Sequence, residues 1–266
     1  EMHEVFKRFA KVFEQTYTRF LDLQKAEAQA REAQIEAALE RIRSRSLAMY
    51  KTDDLREVVA VLFEQMQGLS VDMGFASVSI FIFEQDSRNI TQWIPTSVGV
   101  STLSIPYFDH PISADLFDAK ENGADYFAKI YSLEEKNSWL EAGFELTDYK
   151  DLPDDFKASL IEAPGYAISI TLAKSSGICI PSFVGTLPSA DDVAIMKRVG
   201  KVFEQTYTRF LDLQRAEAQV REAQIEASLE KVRSRSLAMH NSDELNEVVS
   251  IVFEKLKELQ IPATAV

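Results

Sequence analysis

Two clusters, one cysteine and a set of aromatics carry the side chains able to do chemistry in this chain. Asp109-His110-Pro111 places a histidine where a strand-like stretch hands over to a helix. An imidazole at that point can contact a ligand at a pocket mouth or bind haem axially. Its plain alternative is a polar turn histidine. Asp148, Asp151, Asp154 and Asp155 crowd one loop and form an oxygen-donor set for a divalent cation. Read more simply, Pro153-Asp154-Asp155 is the acidic start of a helix. Cys179 lies between Ile178 and Ile180, which marks a buried structural thiol. Trp93, Tyr107, Phe108, His110, Tyr126 and Trp139 are the candidate ligand-binding residues, since small-molecule sites are mostly apolar with a few convergent polar groups. Core packing is the competing role for each aromatic.

No catalytic constellation joins these residues. The sequence has no Gly-rich phosphate loop, no G-x-S-x-G elbow and no H-E-x-x-H. His3, His110 and His240 are too scattered for a zinc centre, and a single cysteine supports neither an internal disulfide nor a multi-thiolate site. The expectation is a chain that is not an enzyme, with no metal site and with any cofactor unspecified.

Composition narrows the partners. The 266 residues are 46% hydrophobic and 27% charged, with only 9 Gly and 8 Pro, which fits a globular chain rather than a disordered or linker-dominated one. A net charge of -13 lacks the cations that phosphates or anionic lipids select, so nucleic acid and membrane surfaces are not expected partners. No run reaches the roughly 20 apolar residues of a membrane span, and the N-terminus lacks a signal-peptide pattern. A cytoplasmic location is expected.

The elements that must position these groups are organised by a repeat. Residues 11–50 and 201–240 match at 34 of 40 positions, an offset of 190 residues. Weaker similarity extends to Glu4–Ala10 with Ala194–Gly200, and downstream, where DDLREVVAVLFEQM aligns with DELNEVVSIVFEKL. Fixed-period similarity signals a tandem array. The expectation is a slice of a longer protein: the tail of one unit, a complete unit, and the opening of the next, ending at 261–266. In the first copy the equivalent of that end leads into the apolar run from Phe75 to Phe83. The repeated segment lacks Pro and Gly and is rich in Ala, Glu, Gln, Leu and Arg, so it reads as a long helix. Leu21, Ala28, Ile35, Ile42 and Met49 recur every seven residues, as do Leu211, Ala218, Ile225, Val232 and Met239. Such a seam needs a partner helix. The expected dimer interface is therefore Leu21, Ala28, Ile35, Ile42, Leu211, Ala218, Ile225 and Val232. Gln24, Arg31, Ala38 and Arg45 weaken the companion seam, and packing back onto the chain's own domain is the alternative. His240 has Tyr50 as its counterpart, which argues against a shared phosphotransfer role.

Ser189 with Asp192 forms an N-cap, and helical pattern runs from there to Met239, weakened at Gly200. Thr52 reads as the cap of another helix, with Leu55, Val58, Val59, Leu62 and Met66 on its apolar face. Strands are expected at Ala76–Phe83, covered on both faces, at Ile90–Thr96, with Pro95 at an edge or end, and at Thr102–Tyr107. Pro111 opens a helix to Asn122-Gly123. Asp125–Tyr131 is a strand, Ser132–Glu135 a capping box for a helix ending near Gly143, and Asp154–Ile161 a short helix. Tyr166–Leu172 and Ile178–Phe183 form a hairpin. The fold class is α+β, an antiparallel sheet with helices packed on it, flanked by long coiled-coil helices. The boundaries are a helical linker at 1–51, a domain at 52–190, a long exit helix at 191–241 and a truncated next unit at 242–266.

A domain of this size, entered by a helix and left through a heptad helix, resembles a GAF domain. The segment AEAQAREAQIEAALERIRSRSLAM followed by TDDLREVV is similar to linkers between GAF-like domains in tandem-repeat bacterial signalling proteins. The resemblance implies a cytoplasmic sensory module, a parallel homodimer through its coiled-coil helices, and a small-molecule pocket between sheet and helices. It also implies an output domain elsewhere in the parent chain. Relatives bind cyclic nucleotides, tetrapyrroles, haem or small metabolites, and some bind nothing. The N-K-[FY] and F-x-x-x-D-E elements of cyclic-nucleotide binders are absent here. So are the several cysteines of methionine-sulfoxide-reducing members, and Cys179 does not resemble a bilin-attachment site. The expected function is non-enzymatic signal transduction, with a dimerising structural spacer without ligand as the alternative.

Overall fold

A stretch without Gly or Pro, dense in good helix formers, has no reason to break, and residues 2–47 do not. A computed structural model describes residues 2–71, 78–96 and 99–261. Among them are seven helices and six strands: α1 Met2–Leu47, α2 Leu55–Gly68, β1 Ser79–Phe83, β2 Ile90–Thr96, β3 Gly99–Ile105, α3 Pro111–Glu121, β4 Tyr126–Tyr131, α4 Leu133–Leu146, α5 Asp154–Glu162, β5 Tyr166–Thr171, β6 Ser176–Ser182, α6 Ala190–Leu237 and α7 Leu245–Glu258. No helix among the described residues is long and apolar enough to cross a membrane. The chain divides into two units, residues 1–208 and 209–266.

In the first unit all six strands join one antiparallel sheet in the order β3-β2-β1-β6-β5-β4. The expected α+β class, with helices on an antiparallel sheet, is what the chain forms. Alternation along the strands separates two faces. Phe81, Phe83, Tyr166, Ile168, Ile170 and Cys179 point into a core shared with Ile112, Leu116 and Phe117 of α3. Ile80 and Ile178, paired across β1 and β6, are fully buried on the opposite side. There α2 covers β1, β2 and β3, and Gly200 of α6 lies close against Thr171 of β5. The second half of α1 packs on α2 and buries Ile35, Ala38, Leu39 and Ile42. Arg31 of α1 donates to the Leu69 carbonyl beyond α2 at 2.6 Å.

Local chemistry explains most boundaries. The Ser189 hydroxyl accepts from the Asp192 N–H at 3.1 Å, as the spacing predicts. Ser132 and Glu135 form the expected reciprocal box at the start of α4. Thr52 does not cap α2. Residues Thr52–Asp54 form a 3₁₀ turn, and the Asp54 carboxylate reaches back to the Tyr50 and Lys51 N–H groups at 2.7 and 3.0 Å. A carboxylate satisfying two N–H donors outcompetes a single hydroxyl, and both bonds hold Asp54 below its ordinary pKa. β3 starts three residues earlier than expected because Gly99, at φ +127°, turns the chain to pair with Thr96. β2 has neighbours on both sides, so Pro95 marks its end and not a sheet edge. Ala76 and Ser77 of the expected first strand, the start of the Phe75–Phe83 run, and the 262–266 end lie outside the described residues. One feature had no signal in sequence. Lys136 on α4 is fully buried, and its ammonium donates to the carbonyls of Leu160, Ile161 and Ala163 at 2.6 to 3.0 Å, closing the C-terminus of α5.

The second unit repeats the helix-pair geometry. Arg221 donates to the Leu259 carbonyl as Arg31 does to Leu69, and Arg235 pairs with Glu247 as Arg45 does with Glu57.

Gly200 sets how closely α6 meets the sheet. A Cβ there would lie 2.6 Å from the Thr171 hydroxyl oxygen, which itself accepts from the Ile178 N–H at 3.0 Å. Overpacking of this kind costs about 1–3 kcal/mol, more than the ~1 kcal/mol gained by alanine in a helix. Gly200→Ala is expected to lower stability in urea unfolding, and to cost clearly less in a Thr171→Ala background, where only the 3.1 Å approach to the residue-171 Cβ remains. Equal destabilisation in both backgrounds would show that the contact does not limit the approach.

Candidate functional site

The aromatic core under α3 and α4 is where chemistry-bearing side chains converge. The β3–α3 connection delivers Tyr107, Phe108 and His110; α4 delivers Trp139; β4 delivers Tyr131 and β5 Tyr166. The 3₁₀ turn Asp148–Asp151 delivers Tyr149. Trp139 is the hub. Its ring stacks on Tyr166 at 6.1 Å between centroids, meets Tyr149 edge-on at 5.9 Å and faces Phe108 at 6.2 Å. Its indole N–H donates to the Ser113 hydroxyl at 3.2 Å. Tyr166 continues the chain of rings to Phe183 and Tyr131.

Of the six expected ligand residues, Phe108, His110 and Trp139 lie together, with Phe108 bridging His110 and Trp139. Tyr107 borders the same core farther along, edge-on to Phe117 at 5.7 Å with the Arg88 guanidinium over its ring. Trp93 and Tyr126 are on the other face of the sheet. Trp93 pairs with Ile80 and carries Arg56 of α2 at 5.5 Å over its ring. Tyr126 pairs with Thr171 and lies under Lys197 of α6. Strand parity makes this split, since neighbouring residues on a strand point to opposite faces. Tyr149, Tyr166, Gln92 and Ser113 belong to the cluster without having been expected there. Tyr166 could have been found from the alternation of β5; the 3₁₀ turn carrying Tyr149 had no periodic signal.

A buried polar ladder runs beneath the rings. The Tyr149 hydroxyl donates to Gln92 at 2.8 Å, and the Gln92 amide donates to Ser79 at 3.2 Å. Burial pushes the Tyr149 hydroxyl well above its usual pKa, and the Cys179 thiol likewise. Both stay protonated, so Cys179 is an inert buried thiol. Burial also raises Tyr131, helped by Asp115, which accepts from its hydroxyl at 3.1 Å.

His110 caps α3. Its Nδ1 accepts from the Ile112 N–H at 3.2 Å. The Ser138 hydroxyl donates to the Glu135 carbonyl, which leaves its oxygen to accept from His110 Nε2 at 3.0 Å. The network assigns the proton to Nε2. With its lone pair engaged by the backbone, the imidazole in this arrangement cannot take a proton from Ser138, so the pair is not wired as base and nucleophile. In the acidic loop one carboxylate is tied to the backbone and another faces a lysine. Asp148 accepts from the Ser104 N–H at 2.7 Å and Asp154 faces Lys157. Among the described residues no three His, Cys, Asp or Glu side chains converge as metal ligands.

The expected dimer positions divide by surroundings. Leu21 and Ala28 are exposed, whereas Ile35 and Ile42 are buried within the chain, so that half of the first seam is already occupied by α2. In the second copy Ala218 is exposed, and Leu211, Ile225 and Val232 are half-buried. No family model and no curated protein matches the sequence.

Burial holds the His110 pKa below its ordinary value, against the opposing pull of Glu135 and Asp109. The folded state thus prefers the neutral ring: the cap is intact above about pH 6.5 and is lost as pH falls through the folded pKa. Thermal unfolding followed from pH 8 to pH 5 should show this loss. His110→Asn, which keeps a capping acceptor, should flatten that part of the profile, while His110→Ala should cost about 1 kcal/mol at pH 8. An unchanged profile in His110→Asn would assign the pH dependence to other groups.

Proposed function

We propose that residues 52–190 form a GAF-like sensory unit, that its small-molecule site is the aromatic cluster around Trp139, and that α6 carries occupancy toward the second copy of the repeat. One observation supports the relay above the rest: β5 touches both partners. Tyr166, Ile168 and Ile170 face the aromatic core, while Thr171, on the alternate side, meets Gly200 of α6. Glu204 of α6 also accepts from the Ser175 N–H at 3.0 Å and from the Ser176 hydroxyl, which tie α6 to the start of β6. A ligand that displaces rings on one face therefore tilts strands whose other face seats α6, and the helix leads on through the repeat. Differential affinity for two seatings of α6 is the energy source of such a switch.

The ligand class that suits the site is planar and largely apolar, able to stack on Trp139 and to exchange hydrogen bonds with Ser113, Ser138 or His110. No group there is arranged for acid–base or nucleophilic work, so the reading is non-enzymatic. Dimerisation is proposed through the exposed seam positions Leu21, Ala28 and Ala218 and the half-buried Leu211, and excludes the buried Ile35 and Ile42. An output domain elsewhere in a parent chain and a cytoplasmic setting belong to the same proposal.

A structural spacer is the second reading, favoured by the cluster itself. Trp139 is already surrounded by Phe108, Tyr149 and Tyr166, and its N–H already has a partner. Native mass spectrometry of the freshly purified chain separates the two. A dimer carrying a retained small molecule, lost in Trp139→Phe and kept in Trp93→Phe, is the expected result. A clean dimer whose Trp139 fluorescence ignores nucleotide, haem and tetrapyrrole panels would favour the spacer. A clean monomer would remove the coiled-coil relay.

A further inference from the structure

The repeat places one helical sequence in two settings within one chain. In α6, Met196, Val199, Val202, Phe203, Tyr207 and Phe210 are buried; Phe203 is 0% exposed and stacks on Tyr207 at 5.6 Å. In α1 the counterparts, 190 residues earlier, are Phe6, Phe9, Val12, Phe13, Tyr17 and Phe20, and all are exposed, Phe13 at 71%. Their rings keep the same arrangement, with Phe13 stacked on Tyr17 at 6.0 Å. Five aromatics at least half exposed leave roughly 100 Å² each uncovered, which is at the upper end of the apolar patch a monomer carries.

The polar groups that seat α6 recur as well. Lys197, which pairs with Asp125 of the sheet unit at 2.9 Å, has Lys7 as its counterpart. Glu204, which accepts from the β6 start, has Glu14; Arg198, which clamps Glu32 and Glu36 of the neighbouring helix, has Arg8. A generic sticky helix would share the apolar stripe but not these three charges at matching positions.

We propose that the N-terminal half of α1 is the seat of a second antiparallel sheet of this same kind, a further copy of the unit formed by residues 52–190, arriving from the N-terminal side as β6 arrives at α6. The occupant is a sheet rather than another α1 helix, because Lys7, Arg8 and Glu14 stand at the positions of Lys197, Arg198 and Glu204, with which α6 holds a sheet unit and its linker. One position also shapes the occupant. Ala10 stands where α6 has Gly200, and Gly200 is in near-contact with Thr171. The sheet that seats on α1 should therefore carry a residue smaller than threonine at the equivalent of Thr171. The inference is independent of what the aromatic cluster binds.

The test is a chain lengthened by one period, residues 1–190 followed by residues 1–266, compared with the 266-residue chain by hydrogen exchange and sedimentation. A second version carries Thr171→Ala in the added copy, to admit Ala10. In the 266-residue chain, amides of residues 5–20 should exchange as an exposed helix, and those of 195–210 should be strongly protected. At the internal junction of the lengthened chain, the 5–20 segment should slow by roughly 100-fold or more, toward the protection of 195–210, with the Thr171→Ala version the slower of the two. Unprotected 5–20 amides at the junction in both versions, or an added sheet that stays unprotected while the original one folds, would overturn the proposal. So would concentration-dependent protection of 5–20 in the 266-residue chain that Phe13→Asp abolishes together with self-association, because the occupant would then be a second helix.

Discussion

A sheet buried on both faces has to be covered twice, and the structure follows from how the two covers are supplied. One is local: α3, α4 and α5 come from the connections between strands and enclose an aromatic core. The other comes from outside the strand sequence, α2 before it and α6 after it. A close point of that second cover is Gly200 against Thr171, where the absence of a side chain lets α6 approach β5. Closer approach strengthens dispersion and excludes water, but it also makes the helix a lever on the strand it touches. The proposed sensor and the alternative spacer would both rest on that contact, and they differ only in whether the opposite face can change.

Much of the architecture was legible because it is written in short-range chemistry. Ser189, Ser132 with Glu135, and Pro111 announce helix starts through bonds made within three or four residues. The alternation of β1 and β5 follows from the two-residue period of a strand. Where longer-range geometry decides, sequence reading fell short. Trp93 and Tyr126 have the composition of pocket residues, yet their parity within β2 and β4 turns them toward α2 and α6. Tyr149 and Gln92 meet across 57 positions, which no periodic pattern announces. Lys136 looked like any helix-surface lysine until the end of α5 arrived above it. The heptad stripe shows the same limit: its period says that a partner is needed, and the geometry makes α2 that partner for Ile35 and Ile42.

The repeat acts as an internal control on these readings. Arg31 and Arg221 each find the carbonyl at the end of the following helix, so the pairing of a long helix with its short successor is encoded locally and does not need the sheet. Burial behaves differently. Leu55 is completely covered and Leu245, its counterpart, is about half exposed. The same residues thus form the same helices in both copies, while the stability those helices contribute depends on what they meet.

The pairing of β1 with β6 joins Ile80 to Ile178, about a hundred residues apart in sequence, at the middle of the sheet. During synthesis β1, β2 and β3 emerge first and can zip as a meander, leaving one side of β1 unpaired until β6 appears. That side is an open hydrogen-bonding edge flanked by Ile80, Phe81 and Ile82, a template for strands of other nascent chains. Loop-closure entropy makes the central pairing slow as well as late. In an array of such units a ribosome would expose one open edge after another, and crowded translation would select for α2, already made by then, to shield the meander while it waits.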